Sequence, residues 1–323
     1  MERLDRFMAR AATAYYATHN PYADFTTAPE ISQVFGELLG LWAAVMWEGM
    51  GSPCPVILAE AGPGRGTLMA DALRAIGATS PGFAASLRLH LVETSPALRA
   101  QQSRRLPLAT WHERMEDLPD GPMLLLANEF LDALPIRQFI RREAGWCERW
   151  VAEGAFCDRP TTDTLPEAPV GTIIERCESA GALAAQLARR FADTTGAALF
   201  LDYGSVESAS GDSLQALAGG KPVSPLVPPG SADLTAHVDF ATFATAGRAA
   251  GAAVYGPVPQ GVFLTQLGLF QRTERLARGR PAHETMALID AARRLAEPAR
   301  MGRLFKALVL CNAGLPIPAG FES

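Results

Sequence analysis

An α/β fold with a mostly parallel sheet and helices on both faces is what the sequence predicts, on three observations. From residue 56 onward, short apolar runs alternate with helix-like patterns. Such alternation favours parallel pairing, because each crossover helix carries the chain back to the same end of the sheet. The first run, from Val56, passes through glycines at positions 62, 64 and 66 into a helical pattern, as a strand does when it turns sharply into a helix. Finally, the 323 residues are 48% hydrophobic and 20% charged. A chain of that size buries roughly three-quarters of its unfolded surface, so its core needs no disulfide or metal staple.

The elements follow in order. The opening "MERLDRFMARAATAYY" sets Arg3, Arg6 and Arg10 at helical spacing. It lacks the apolar block of a secretory signal, and Glu2 and Asp5 are unusual in a transit peptide, so it reads as an amphipathic helix. "VILAEAG" is a strand followed by the helix "TLMADALRAIG". "LRLHLVE" is a second strand followed by "SPALRAQQSRR", with Ser95 as N-cap and Pro96 as first helical residue. A third strand falls near "LATWH", a fourth is "MLLLAN" and a fifth is "AALFLDYG". Between the last two, "QFIRREAGWCERWVAEGAFC" has two Gly-containing turns between alternating runs, the pattern of an inserted antiparallel meander. Its Trp146 and Trp150 share one strand face and are expected to pack in a core.

"SGDSLQALAGGKPVSPLVPPGSADL", rich in Gly, Pro and Ser, is expected to be a long loop of the kind that serves as a lid or binding segment. Phe263, Leu267 and Phe270 mark one helix face, "HETMALIDAARRLA" is a further helix, and "RLFKALVL" is the last strand.

Composition excludes several classes. A net charge of -5 speaks against nucleic acid, which usually meets a basic face. No run of 18 apolar residues occurs, so no spanning helix is expected. The five cysteines contain no CxxC pair and the five histidines no HExxH spacing. Reduced thiols in a cytoplasm, and no metal, are the expectation. The scarcity of lysine beside abundant Arg, Ala and Gly suggests a bacterial source, and the missing presequence argues against a mitochondrion.

The glycine turn narrows the ligand. It favours close approach of an anion to the main chain and to the N–H groups of the helix that follows. A phosphate-cradling P-loop needs Gly-Lys-Ser/Thr, whereas Gly66 is followed by Thr67. A nicotinamide or flavin fingerprint requires G-x-G-x-x-G or Ala, and Thr67 stands at the small position. The remaining pattern is the acidic-x-Gly-x-Gly-x-Gly turn of S-adenosylmethionine enzymes, with Glu60 two places before Gly62. The carboxylate of that ligand suits helix N–H groups, while its sulfonium wants carbonyls and acids. Glu93 ends the second strand, 29 residues beyond Gly64, where a carboxylate can accept bonds from both ribose hydroxyls, each worth about 1.5–3 kcal/mol. Both cofactor classes use such an acid, so Thr67 and not Glu93 separates them.

Six ordered stretches, "DFTTAPEISQVFGELLGLW", "AEAGPGRGTLMADALR", "LVETSPALR", "ANEFLDALPIRQF", "LDYG" and "ADLTAHVDF", together make the chain similar to the MidA-like methyltransferases. That family includes a mitochondrial arginine methyltransferase that assists assembly of respiratory complex I. The resemblance runs from about Tyr15 to Leu310. It implies a class I S-adenosylmethionine (SAM) methyltransferase core with a Rossmann-like sheet and an antiparallel last strand. It also implies an N-terminal helical extension over residues 1–52, a core over 53–312 with insertions at about 138–195 and 205–240, and a tail over 313–323. The implied activity is arginine N-methylation of a protein, a complex I subunit among the candidate substrates. The product cofactor is then S-adenosylhomocysteine. Two departures stand out: Ala23 in "NPYADF" where the family usually has glycine, and a "GDSLQALAGGKPVSPL" segment without the family's histidine and Asp-Pro-Leu.

The tip of the fourth strand is where such a core presents its substrate, and here it reads Asn128-Glu129-Phe130-Leu131-Asp132. Glu129 is the first candidate to grip the substrate and Asp132 the second. The alternative is that Asn128 caps the next helix while the acids stabilise its N-terminus. Asp233 and His237 in "ADLTAHVDF" are candidates for proton transfer, with capping as the plainer role for the acid. Glu60, Gly62, Gly64, Gly66, Glu93, Thr94 and Asn128 are the expected cofactor residues. Glu30, in a helix folded over the cofactor, joins them on the resemblance. Two other functions remain open on sequence: a cofactor-binding assembly factor without turnover, and an NAD(P)-dependent oxidoreductase.

Overall fold

The structure is a computed structural model that describes residues 1–18 and 26–322. The "NPYADF" departure, Ala23 included, lies outside the described residues. A central sheet contains Val56–Ala61 (β1), Leu87–Val92 (β2), Thr110–His112 (β3), Met123–Asn128 (β4), Gly196–Ser205 (β5), Ala253–Pro259 (β6) and Phe305–Cys311 (β7). Their order across the sheet is β6-β7-β5-β4-β1-β2-β3. Strands β1 to β5 pair in parallel, β7 runs antiparallel to β5, and β6 antiparallel to β7.

Alternate side chains of these strands feed two cores, as the two-residue strand period requires. On one face Leu58, Leu124, Leu199 and Val309 meet Leu39 and Trp42 of one helix and Met69 and Ile76 of another. On the other, Ala59, Leu125, Phe200 and Leu308 meet Leu183, Leu187, Phe191 and Phe243. Burial on both faces explains why β1 and β4 read as continuous apolar runs.

The helices used below are Leu4–Thr18 (α1), Gln33–Gly49 (α2), Thr67–Thr79 (α3), Pro96–Arg105 (α4), Glu178–Asp193 (α5) and Phe240–Ala249 (α6). Helix α2 lies directly on α3 because Gly36 and Gly40 have no side chains. A Cβ at Gly36 would stand 2.7 Å from the Leu68 carbonyl oxygen, and one at Gly40 2.6 Å from that of Ala72. This contact draws the short helix Ala28–Ile31, which precedes α2, over the glycine turn at the start of α3.

Helix α1 goes elsewhere. Glu2 and Arg3 pair with Val151 and Trp150 at the edge of the inserted meander. Leu4, Phe7 and Met8 then pack against Ile136, Val151 and Leu234. The meander comprises Arg137–Arg142, Gly145–Ala152, Ala155–Pro160 and Ile173–Arg176. Trp146 and Trp150 are only half-buried in it: Trp146 Nε1 donates to the Pro166 carbonyl at 3.0 Å, and Arg159 stacks over Trp150.

Three expectations change. The tract read as a long loop contains a three-stranded antiparallel sheet, Gln215–Ala218, Lys221–Val223 and Asp233–Thr235. Gly219 and Gly220, with φ of +58° and +70°, form the two-residue turn of its hairpin, a turn that demands left-handed backbone at both positions. Second, the face marked by Phe263, Leu267 and Phe270 is split at Gly268, φ +91°, between Gln260–Gln266 and Leu269–Ala277, and Phe270 is exposed. Third, β6 was hidden by Gly256, Pro257 and Pro259; it is an edge strand with a register break between Tyr255 and Val258, where proline is tolerated.

Candidate active site

The carboxyl ends of β1, β2, β4 and β5 open into one cleft of about 540 Å³, the usual ligand position in an open α/β sheet. Eleven of the twelve expected site residues line it; Gly66 does not. Gly66 instead caps α3 in a left-handed conformation, φ +73°, and with Gly62 and Gly64, at φ +64° and +55°, lets β1 turn into α3.

Glu60 and Glu93 sit side by side at the floor of one half. Glu60 is buried, and its Oε2 has no hydrogen-bond partner among the described residues. Burial, and then the neighbouring Glu93, push its carboxyl up to about 8. Glu93 is also raised by burial, although N–H donors from Ser95, Gln102 and Thr94 pull the other way. Ser95 N donates to Glu93 Oε1 at 2.8 Å, and Gln102 Nε2 donates to Oε2 at 3.1 Å and to the Gly64 carbonyl at 2.7 Å. Gln102 is fully buried on α4. Nothing local in the sequence marks it, because its partners lie up to 38 residues away.

The roof of this half is Thr27 to Glu30. Thr67 Oγ1 donates to Glu30 Oε1 at 2.6 Å, and Arg65 Nη1 stands 3.7 Å from Oε2. Glu30 therefore fastens the N-terminal helix turn to the glycine turn. Its neighbour Gln33 turns away to Glu37, which also holds Arg272 and Arg74.

The other half is acidic. Glu129 adopts φ +51° at the end of β4, a strained backbone worth about 1–3 kcal/mol for a non-glycine residue. Asp202 compensates. Its Oδ2 accepts from the backbone N–H groups of Phe130, Leu131 and Asp132 at 3.0, 2.8 and 3.1 Å. Asp202 thus does the work expected of an Asn128 cap, while Asn128 Nδ2 donates to Glu129 Oε1 at 3.1 Å and its Oδ1 has no partner among the described residues. The Glu129 carboxylate also accepts from the Ala28 backbone N–H at 3.1 Å.

Asp132 hydrogen-bonds Tyr203, and Tyr16 Oη donates to Asp233 Oδ1 at 3.0 Å. Burial raises Glu129, and the Ala28 N–H offsets part of that. Burial and then Asp202 hold Asp132 well above the carboxylate range; burial and then Glu129 push Asp202 up to about 7. His237 is exposed at the rim, edge-on to the Tyr203 ring at 5.5 Å. Gln215, from the small sheet, donates to Tyr203 Oη and Thr235 Oγ1 at 3.2 Å each. Tyr16, Asp202 and Tyr203 were missed by sequence reasoning, although the "LDYG" stretch contains two of them.

A family model for S-adenosyl-L-methionine-dependent methyltransferases matches residues 38–258. The chain belongs to this methyltransferase family. The methyltransferase is 31% identical to the human protein arginine methyltransferase NDUFAF7, across 96% of this chain and 79% of that protein. It is 32% identical to the Drosophila melanogaster homologue, across 96% and 80%. It is similar in structure to a candidate methyltransferase from Burkholderia thailandensis bound to S-adenosylhomocysteine, with 27% identity, a TM-score of 0.81, and 98% and 89% of the two chains covered.

The chain is therefore a SAM-dependent methyltransferase, and the residues present fit that cofactor: the orphaned Glu60 Oε2 and Asn128 Oδ1 both need donors. The antiparallel β7 is the closing strand expected of such a core, not of the oxidoreductase alternative. A non-catalytic assembly factor also yields to the enzyme reading. The expectation of a bacterial cytoplasmic protein is corrected, because the curated relatives are mitochondrial proteins of animals. Reduced cysteines cannot distinguish one reducing compartment from another, and amino-acid composition is no guide to compartment. Among the described residues, no helix is long and apolar enough to cross a membrane.

Proposed function

We propose that this methyltransferase modifies an arginine side chain of a protein, with a respiratory complex I subunit as the candidate substrate. The observation that carries this reading is the convergence of Glu129, Asp132 and Asp233 in the half of the cleft away from the glycine turn, with Asp202 buried behind them under the turn that follows β4. Like charges buried together resist ionising. A guanidinium, cationic up to a pKa above about 12, relieves that repulsion and offers planar paired donors to carboxylates. The arginine methyltransferase activity named for the animal relatives supports the same substrate class.

In this reading Glu93 accepts from the ribose hydroxyls, and Glu60 and Asn128 receive the donors of the amino-acid end. Thr94, Gly62 and Gly64 line the same half, and Glu30 closes it. Bound SAM supplies a methyl carbon on a sulfonium, so that the new N–C bond forms as the C–S bond breaks and a neutral thioether leaves. Glu129 and Asp132 orient the guanidinium and draw its charge away from the attacking nitrogen, and Glu129 accepts the proton that nitrogen gives up. Tyr203 holds Asp132 and Tyr16 holds Asp233, and Phe130, Leu134 and Phe305 keep water from the cleft. Alignment of this kind is worth roughly 7–11 kcal/mol of barrier when the geometry is tight. His237, at the rim, carries the proton outward.

The test is transfer of radiolabelled methyl groups to host-cell proteins, followed by mass spectrometry of the labelled band. Label on arginine with the wild-type protein, and none with Glu129→Gln, is the expected result. Label on another residue type overturns the arginine assignment.

A further inference from the structure

A second cavity, of about 620 Å³, adjoins the acidic half of the cleft, and His237 lines both. The wall between them is thin: the Ala236 backbone N–H donates to the Asp132 carbonyl at 2.9 Å, and Ala236 and Asp132 lie on opposite sides. The cavity runs between the edge strand Ile173–Arg176 of the inserted sheet and the starts of α5 and α6. Its floor is apolar, with Leu131, Ile136, Ala180 and Phe243 buried beneath it. Four carboxylates and one arginine line it: Glu178 pairs with Arg137 from outside the cavity, Asp239 caps α6, Glu175 accepts from Ser213 and Gln138, and Glu167 stands on the exposed rim near Arg176. That arginine is drawn aside by the Thr164 carbonyl at 2.9 Å and by Asp163.

We infer that this groove holds the stretch of substrate polypeptide flanking the target arginine, and that it selects an apolar side chain together with a cationic one. The inference rests on the arginine reading for its orientation. An arginine reaching the acids of the cleft past His237 leaves its main chain at the mouth of the second cavity. Neighbouring residues then fall over the apolar floor and the acidic rim. A small-molecule methyltransferase has no use for such an annex, whereas a protein substrate needs binding area beyond one side chain to be chosen among many arginines.

Gly181 offers a way to fill the groove, and unchanged affinity for S-adenosylhomocysteine checks that the fold survives the substitution. It is half-buried on α5, and a Cβ there would meet only the Ala246 Cβ, at 3.9 Å. The test uses full-length wild-type protein, Gly181→Phe and Glu167→Lys. The probes are acetyl-arginine methylamide, the fluorescent peptide Gly-Lys-Leu-Gly-Arg-Gly-Leu-Lys-Gly, and the same peptide with glutamine for arginine. Glu167 is exposed, so its charge reversal tests the rim alone.

Wild-type kcat/KM for the peptide should exceed that for acetyl-arginine methylamide at least tenfold. Gly181→Phe should remove that advantage while leaving the small substrate and S-adenosylhomocysteine affinity unchanged within twofold. Glu167→Lys should weaken the peptide about threefold. Anisotropy separates the two readings: both peptides should bind the wild type, and Gly181→Phe should weaken each at least fivefold. Binding of that kind without any methyl transfer to arginine would sink the arginine assignment and keep the groove. Equal binding by the wild type and Gly181→Phe, or no binding, overturns the groove, as does an unchanged peptide advantage in Gly181→Phe.

Discussion

Gln102 holds Glu93: its amide nitrogen donates to the carboxylate at 3.1 Å, and Trp111 Nε1 donates to its Oε1 at 2.8 Å, fixing which way the amide faces. The same nitrogen reaches the Gly64 carbonyl, so one buried side chain sets the separation between the glycine turn and the acid after β2. Hydrogen bonds to charged groups are worth about 1.5–3 kcal/mol. Gln102→Leu should therefore weaken S-adenosylhomocysteine about 10- to 100-fold in isothermal titration. Losing this donor also moves the Glu93 carboxyl further up, so the variant should recover affinity as pH rises more than the wild type does. An unchanged pH profile would mean that Gln102 serves packing only.

Glu129→Gln separates cofactor from substrate. A glutamine oxygen can still accept from the Ala28 N–H, so the roof of the cleft should stay in place. Methyl transfer should fall at least about 100-fold, the scale seen when a positioned acid–base group is removed. S-adenosylhomocysteine affinity should change less than threefold. A comparable loss in both would place Glu129 in the cofactor half.

The pH dependence of kcat/KM follows from the acidic cluster. Asp202 is pushed up to about 7, and Glu129 and Asp132 are raised in the same direction. Of the three, Glu129 and Asp132 line the cleft, and once protonated each is neutral and loses its hold on a guanidinium. kcat/KM, which reports the free enzyme, should fall as pH drops, with its acid limb above the ordinary carboxylate range. A bound cation pulls the same groups down, so the limb in kcat should lie at lower pH. A kcat/KM that stays flat down to the ordinary carboxylate range would show that these carboxyls do not meet a cationic substrate.

What the sequence made legible was local. Glu60, the three glycines and the start of α3 lie within eight residues, and their spacing alone specifies a strand, a bend and a helix N-terminus. Glu93 follows from the next strand. The relationships that organise the site are long-range: Tyr16 with Asp233, Ala28 with Glu129, and Asp202 with the turn after β4. No periodicity marks them, because each member is an ordinary polar residue until the fold juxtaposes it. Gly219-Gly220 was different, since the glycine pair between "QALA" and "KPV" is a hairpin signal that the surrounding prolines and serines obscured.

Gly40 tests how the N-terminal helices serve the cleft. Gly40→Val would press a side chain against the Ala72 backbone, and backbone on α3 cannot step aside as a flexible side chain can. Overpacking typically costs about 1–3 kcal/mol, so thermal unfolding should occur several degrees lower. Displacing α2 also lifts Ala28–Ile31, breaking the Glu30–Thr67 bond, so S-adenosylhomocysteine affinity should fall although no cofactor residue has changed. Normal affinity in a destabilised Gly40→Val protein would dissociate the roof from binding.

Glu60 links cofactor binding to stability. Its carboxyl lies at about 8 in the folded protein against 4.5 as the ordinary value. Between those values the folded state holds a proton that the unfolded chain has released, so stability falls as pH rises through that window. Below about 4.5 both states are protonated and the group contributes no difference; above about 8 the loss is complete. Glu60→Gln removes the buried charge, so without cofactor its melting temperature should equal that of the wild type near pH 4.5 and exceed it increasingly toward pH 8. With saturating S-adenosylhomocysteine the order should reverse at pH 8, because only the carboxylate can form a charge-assisted bond to a cationic amino group. Thermal scans at pH 5 and 8, with and without that ligand, give both signs. If Glu60→Gln stays the more stable protein with the ligand bound, Glu60 does not receive the amino group.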